Sequence, residues 1–162
     1  MDSASLRAIP FFQKLTDDEL QALAGLVETR DYKRGDRILE EGAVSTGFYI
    51  IHHGVVHVRR RANTHEMLLT MLGPGSFFGE ISLFDPGRAT ASIYAKKDSR
   101  LDWIPNDRFR AFMEKHPHAG YRIASAILAE VAHRLSTTSA RLAKSIYRPT
   151  SAGTGTQPGG KP

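Results

Sequence analysis

Short β-prone segments separated by glycines occupy the middle of this chain and limit the folds open to it. From Arg30 onwards, β-branched and aromatic residues alternate with polar ones for a few residues at a time, and each run ends at a turn former. The runs predict strands at residues 37–40, 48–51, 55–58, 67–72, 91–95 and 101–104. Several short strands at close spacing are typical of a small antiparallel barrel or sandwich.

Helical patterns flank the predicted strands. Thr16 and Glu19 have the spacing of a capping box, which predicts a helix over about residues 17–28. Pro105 and Asn106 predict the start of a short helix, and Pro117 that of a long one. Apolar residues then recur at helical steps at Tyr121, Ala124, Ile127, Leu128, Val131, Leu135, Leu142 and Ile146. So small a barrel cannot cover this helix, and we therefore expect self-association through it, as a homodimer.

Composition narrows the class of protein. The chain has 162 residues and no Cys, which suits one folded domain and excludes disulfides, thiolate metal ligands and Cys nucleophiles. No apolar run approaches the roughly 20 residues of a membrane span, and residues 1–8 lack the pattern of a secretory signal. We therefore expect a cytoplasmic protein without membrane contact. The predicted domain covers residues 1–148, and residues 149–162 predict a disordered tail because they lack apolar periodicity.

Residues 78–95 are the main candidate for a functional site. Gly79 permits a tight turn, and the residues after Glu80 can form a short helix whose first N–H groups face a ligand. Such a helix start suits an anion, and a carboxylate beside it suits the hydroxyl groups of a sugar. This combination predicts a nucleotide as the ligand.

Other kinds of site are less well supported by the sequence. His52, His53, His57 and His65 lack a supporting carboxylate at metal-site spacing, so they predict surface histidines rather than a cupin-like metal centre. Neither Ser82 nor Ser92 follows a glycine elbow, so we predict no enzyme, no catalytic residues and no cofactor.

The sequence also lacks the common signatures of nucleic-acid and triphosphate binding. We interpret the basic run at residues 59–61 as solvated, because no helix-turn-helix or zinc-finger pattern accompanies it. The glycine-rich segment 73–79 has no Gly-Lys-Ser or Gly-Lys-Thr and is not a Walker loop. We therefore expect no DNA-binding motif.

The order of glycines and the Phe78-Gly79-Glu80 motif resemble a cyclic nucleotide-binding domain. The resemblance begins with Gly35 and Gly42, continues through residues 48–58, and includes Gly75 to Leu83. It covers residues 9 to about 145 and is similar both to the domains of hyperpolarisation-activated and cyclic-nucleotide-gated channels and to catabolite activator proteins. It implies an α+β fold: an antiparallel, jelly-roll-like β-roll with an N-terminal helix, a short phosphate-cassette helix and a long C-terminal helix that acts as a lid.

The resemblance also implies the ligand contacts. Glu80 would accept a hydrogen bond from the ribose 2′-hydroxyl, while Phe78, Gly79, Ile81 and Ser82 belong to the segment that holds ribose and phosphate. The apolar floor under the base would be formed by Val58, Met67 and Leu69. The pair Thr138 and Ser139 resembles the adenine-contacting pair of the activators' dimer helix, although Ser and Thr are frequent on any exposed helix face.

The sequence departs from the family where the cyclic phosphate should bind. The family places an Arg nine residues after the Glu, and this chain has Ala89 there, with Arg88 one residue earlier and Thr90 one residue later. Neighbouring side chains on a strand face opposite ways, so Arg88 is expected to point away from the site unless the loop shifts register. Thr90 could still touch a phosphate oxygen or a syn guanine.

Two functions follow as hypotheses. The first is a stand-alone regulator that binds cyclic AMP or cyclic GMP, with weakened affinity, and signals to an unknown protein partner through its C-terminal helix. The second is a degenerate module that keeps the fold for dimerisation and protein contact but no longer binds a cyclic mononucleotide.

Overall fold

The fold consists of two antiparallel sheets with helices at both ends of the sequence. The computed structural model describes residues 3–63 and 65–146. The helices are α1 (Ser3–Arg7), α2 (Asp17–Ala24), α3 (Glu80–Phe84), α4 (Asn106–Lys115) and α5 (Pro117–Ile146). The strands are β1 (Glu28–Tyr32), β2 (Arg37–Leu39), β3 (Gly47–His53), β4 (Val56–Ala62), β5 (His65–Leu72), β6 (Phe77–Phe78), β7 (Ser92–Ala95) and β8 (Ser99–Pro105).

Each sheet has four strands, in the orders β1-β8-β3-β6 and β2-β7-β4-β5. All the pairs are antiparallel, and the core lies between the sheets because both supply its buried side chains. The core cluster comprises Tyr49, Ile51, Phe78 and Leu101 from the first sheet and Val56, Leu72 and Ile93 from the second. The predicted α+β roll is confirmed, and it is built from two sheets rather than a closed barrel in the described part of the chain.

The N-terminal helix ends earlier than the sequence predicts. The capping box forms as expected: the Glu19 backbone N–H donates to Thr16 Oγ1 at 3.3 Å, and the Thr16 N–H donates to Glu19 Oε2 at 2.8 Å. The predicted end near residue 28 is wrong, because α2 stops at Ala24 and Gly25 caps it. Glu28 instead begins β1, which pairs with β8, so tertiary pairing outweighs the helical pattern at this residue.

An aromatic cluster joins the N-terminal segment to the first sheet. Phe11, in a short 3-10 turn, packs edge-on against Phe48 and Phe77, with ring centroids 6.0 and 5.3 Å apart. Phe48 also contacts Phe109 of α4 at 5.3 Å. These rings are buried and hold the short helices against β3 and β6.

The chain divides into two units, one ending at Ile127 and the other starting at Leu128. In the first unit, α5 buries Ala119, Ile123 and Ile127. In the second, Leu128, Leu135 and Leu142 are all at least 60% exposed, and Glu130 accepts from Arg134 Nε at 2.8 Å. The predicted tail, with its boundary at residue 148, lies outside the described residues. No described helix is long and apolar enough to cross a membrane.

Candidate ligand-binding site

The centre of the candidate site is the turn between β6 and α3. Gly79 has φ of 86° and caps the N-terminus of α3, so that Glu80 is the first helical residue. A Cβ at Gly79 would lie 2.4 Å from the carbonyl oxygen of Gly47 on β3. The turn therefore requires glycine both for its left-handed conformation and for the close approach of the two backbones. This explains why Glu80 follows a glycine directly.

A buried polar network links Ser82 of α3 to Ser45 and Asn106. The Ser82 hydroxyl lies 2.8 Å from Ser45 Oγ and 2.9 Å from the Gly79 carbonyl oxygen, and it accepts from Asn106 Nδ2 at 3.0 Å. All three of the side chains of Ser45, Ser82 and Asn106 are buried. Because these contacts engage the Ser82 hydroxyl, a ligand contact at this residue would come from its backbone.

The C-terminal end of α3 is held by a cation from α4. Arg110 Nη1 donates to the carbonyl oxygen of Leu83 at 3.0 Å and to that of Ser82 at 3.4 Å. Carbonyl groups at a helix end have no intrahelical partner, and a guanidinium both satisfies them and suits the negative end of the helix dipole. Sequence reasoning did not identify Ser45, Asn106 or Arg110. The only signal was the position of Asn106 at a helix start, which indicates a cap and not a partner for a remote serine.

The segment after α3 places Arg88 and Ala89 in different environments. Ala89 is buried, its N–H donates to the Ala43 carbonyl oxygen at 2.8 Å, and its own carbonyl accepts from the Gly42 N–H at 2.8 Å. Arg88 is exposed, and its Nη1 donates to the Gly42 carbonyl oxygen at 2.6 Å. A β-bridge between Val44 and Arg88 extends this pairing. The register leaves a buried methyl group at the position where the resemblance implied a phosphate-binding Arg.

The residues predicted under the base lie on the β4-β5 hairpin. Val58 pairs with Thr70 and Met67 with Arg60, which places Val58 and Met67 on the same face of the hairpin. Leu69 falls at the break in register between these pairs. Val58 packs against the core, whereas Met67 and Leu69 are 55% and 42% exposed.

The remaining predicted contacts differ in exposure. Phe78 is buried in β6 and stacks on Tyr49 with centroids 4.7 Å apart, whereas Ile81 and Thr90 are exposed. Thr138 and Ser139 are exposed residues of α5 in the second unit. Within residues 3–63 and 65–146, His, Asp and Glu side chains form no group of three that could hold a metal ion.

Comparison with known protein families identifies the family of this chain. The sequence profile of the cyclic nucleotide-binding domain matches residues 29–116, which contain both sheets apart from the first residue of β1, together with α3 and α4. This chain belongs to the cyclic nucleotide-binding domain family. The resemblance inferred from Phe78-Gly79-Glu80 and the glycines is thus confirmed.

Relatives of this cyclic nucleotide-binding domain occur in proteins of different classes. It is 34% identical over 148 residues to a CRP-like cAMP-activated global transcriptional regulator of Mycobacterium tuberculosis, covering 91% of this chain and 64% of the regulator. It is 33% identical over 110 residues to the mouse potassium/sodium hyperpolarization-activated cyclic nucleotide-gated channel 4, covering 68% of this chain and 9% of the channel. The chain therefore spans less than two thirds of the length of either relative.

A solved structure shows the same similarity. The Thermus thermophilus catabolite activator protein superposes with a TM-score of 0.70 at 28% identity, over 83% of this chain and 63% of that one. Both classes of protein that the sequence resembled, gated channels and catabolite activators, are therefore represented among the relatives.

Proposed function

We propose that this domain is a regulatory module, not an enzyme, that binds a cyclic mononucleotide, cyclic AMP or cyclic GMP. The observation that carries the proposal is the cassette formed by Gly79 and α3, with Glu80 at its first helical position. A carboxylate beside the N–H groups of a helix start suits a ligand that presents sugar hydroxyls and a phosphate together. The network through Ser82 and Arg110 preorganises this cassette, which lowers the ordering cost of binding.

The affinity is proposed to be weaker than is usual for the family. A charge-assisted contact between Arg and phosphate contributes about 1.5–3 kcal/mol, and Ala89 cannot make one. Arg88 does not replace it in this structure, because its guanidinium donates to the Gly42 carbonyl oxygen. Binding would then rest on Glu80, the amides at the start of α3, and Thr90.

The test is a calorimetric titration with cyclic AMP and cyclic GMP of the natural chain and of Glu80→Gln. Glu80→Gln keeps the shape of the side chain but removes its charge, so we expect affinity to fall about ten- to a hundredfold. Glu114→Gln, which neutralises an exposed acid on α4, is the matched control and should bind like the natural chain. Equal affinities of the Glu80 variant and the natural chain would contradict the role of Glu80.

We further propose that α5 transmits the ligand state to a partner protein and joins two copies of the chain. In the second unit Leu128, Leu135 and Leu142 lie seven residues apart and are exposed, which is the spacing of one core position in a coiled coil. Val131 and Thr138, three residues after Leu128 and Leu135, occupy the second core position of that repeat. A ligand that binds one arrangement of the helix more tightly would shift the population toward it.

Leu135→Glu tests the dimer. A carboxylate at the centre of an apolar helix seam is desolvated on pairing, so we expect the dimer dissociation constant to rise at least about tenfold. Sedimentation equilibrium measures this change. Ala140→Glu, which places the same charge outside the leucine spacing, should leave dimerisation unchanged. A natural chain that sediments only as a monomer at high concentration would contradict the proposal.

A second candidate function is a degenerate module that dimerises and contacts proteins without binding a cyclic mononucleotide. The buried methyl group of Ala89 and the engaged guanidinium of Arg88 favour it, because together they leave the cyclic phosphate without its usual cation. Absence of binding by the natural chain to either cyclic nucleotide would select this alternative.

A further inference from the structure

A basic pocket lies on the outer side of the second sheet, away from the core face. His57 and Arg59 belong to β4 and Tyr94 to β7, and the alternation of the strands turns them away from the buried side chains of Val56 and Ile93. The pocket measures about 670 Å³ and is lined by Arg34, Gly35, His57, Arg59, Tyr94, Ala95, Lys96 and Lys97. Five of these residues are cationic or become so on protonation, and none is acidic.

The positive charge of this pocket is only partly neutralised. Glu66 on β5 lies 3.6 Å from Arg59 Nη1 and accepts from the Tyr94 hydroxyl at 3.1 Å. The ion pairs among the described residues leave the side chains of Arg34, Lys96 and Lys97 without a carboxylate within 4.0 Å. Lys96 Nζ donates to the weakly accepting Met71 sulfur, at 3.4 Å. Glu66 beside Arg59 and Asp98, which accepts from the Arg34 backbone N–H at 2.9 Å, therefore adjoin a pocket with four permanent cations.

Two details show that the cations lie close together and lack acceptors. Arg59 Nε is buried and has no hydrogen-bond partner among the described residues. Burial, together with the charges of Lys96 and Arg59, lowers the pKa of His57 below its usual value. An anion in the pocket would offset the repulsion between these groups.

We propose that this pocket is a second ligand site that binds a polyphosphate group, either as the free anion or as the tail of a nucleoside triphosphate. Guanidinium groups match phosphate geometry, and several cations around one cavity suit a ligand of high charge density. The volume lies in the range of small-molecule sites, and the lining comes from three segments around the half-buried Tyr94 ring. A concave pocket of this size accommodates a compact anion better than an extended protein surface.

The experiment titrates inorganic tripolyphosphate, ATP and an acidic peptide of the same net charge into the natural chain at low salt. We expect tripolyphosphate to bind, with an affinity that falls as salt is added. Tighter binding of ATP than of tripolyphosphate would identify a nucleoside triphosphate as the ligand. Equal or weaker binding of ATP would identify the free polyphosphate anion. Preference for the acidic peptide, or no binding of either phosphate, would overturn the proposal.

Lys96→Gln/Lys97→Gln locates the binding. Both lysines are exposed, so the variant should fold, and we expect about tenfold weaker tripolyphosphate binding. Arg108→Gln/Lys115→Gln removes the same charge from exposed positions on α4 and should bind normally. Equal weakening in both variants would indicate a general charge effect and contradict the site. Displacement of bound tripolyphosphate by cyclic AMP would place the anion in the cyclic nucleotide site instead.

The imidazole of His57 provides a local readout. Arg59 Nη2 lies 3.4 Å from the ring Nδ1, and Tyr94 is the partner of His57 on β7. Glu66 contacts Arg59 and Tyr94. Burial and the positive charges of Lys96 and Arg59 lower the pKa of His57, so an added anion should raise it. A titration of the ring signals by NMR, assigned with His57→Gln, measures this shift with and without tripolyphosphate. An unchanged pKa under saturating anion would contradict binding in this pocket.

Discussion

An Ala89→Arg variant is expected to bind cyclic AMP about ten- to a few hundredfold more tightly than the natural chain. The expectation follows from the roughly 1.5–3 kcal/mol of one charge-assisted contact with phosphate, since about 1.4 kcal/mol corresponds to tenfold in affinity. The backbone at residue 89 is held on both sides, by Ala43 and Gly42, so the new side chain would start from a fixed position. Calorimetric titration of both chains measures the gain.

Two control variants separate this effect from a general gain of charge. Thr90→Arg adds the same cation one residue later, on an exposed position, and should not increase affinity comparably. Arg88→Ala should change affinity little, because Arg88 already donates to the Gly42 carbonyl oxygen.

The possible outcomes distinguish the two proposed functions. Binding by the natural chain that disappears in Arg88→Ala would mean that Arg88 leaves Gly42 and takes the phosphate. No binding by the natural chain but tight binding by Ala89→Arg would identify a degenerate module. If neither chain binds, the cyclic nucleotide proposal loses its main support.

Replacement of Gly79 by Ala is expected to destabilise the first unit by about 2–5 kcal/mol. The left-handed backbone costs a non-glycine residue about 1–2 kcal/mol, and overpacking adds about 1–3 kcal/mol. The overpacking arises because the new Cβ would meet the Gly47 carbonyl oxygen at 2.4 Å, and backbone atoms cannot move aside cheaply. Urea unfolding of the natural and variant chains measures the difference in free energy.

Substitutions at two other glycines separate the conformational cost from the overpacking cost. Gly35 has φ of 95° and no atom within 4 Å of an added Cβ, so Gly35→Ala should cost only the conformational part, about 1–2 kcal/mol. Gly73 lacks a positive φ and also has open space, so Gly73→Ala should be neutral to within about 1 kcal/mol. A Gly79 variant no less stable than the Gly35 variant would show that the contact with Gly47 relaxes without cost.

The largest elements of the fold were predictable because their signals are local. The capping box at Thr16, the glycine-bounded strands and the start of α5 at Pro117 all depend on residues close together in sequence. The prediction missed β1 and β6. The first was assigned partly to a helix, and the second has only two residues, so both owe their strand conformation to partners far along the chain.

The sequence motif of the site was predictable, but the residues of other elements that hold α3 in place were not. Gly79 and Glu80 belong to a pattern of contiguous residues, whereas Ser45, Asn106 and Arg110 reach α3 from other elements. No periodicity or spacing connects residues 45, 82, 106 and 110, because their proximity depends on how α3 and α4 pack against the segment before β3. The basic pocket was missed for the same reason, since Arg34 and Lys96 lie far apart in the sequence and come together only through the pairing of the strands.

The sequence by itself determined the family, the order of most strands, the glycine at the cassette turn and the Ala at position 89, where the resemblance implies an Arg. Each of these depends on residue identity at one position or within one short run. The tertiary structure decided the environment of Arg88 and Ala89. The pairing of residues 87–89 with 42–45 buries one side chain and binds the other to a carbonyl group, and such pairing between distant segments has no signature in either segment alone.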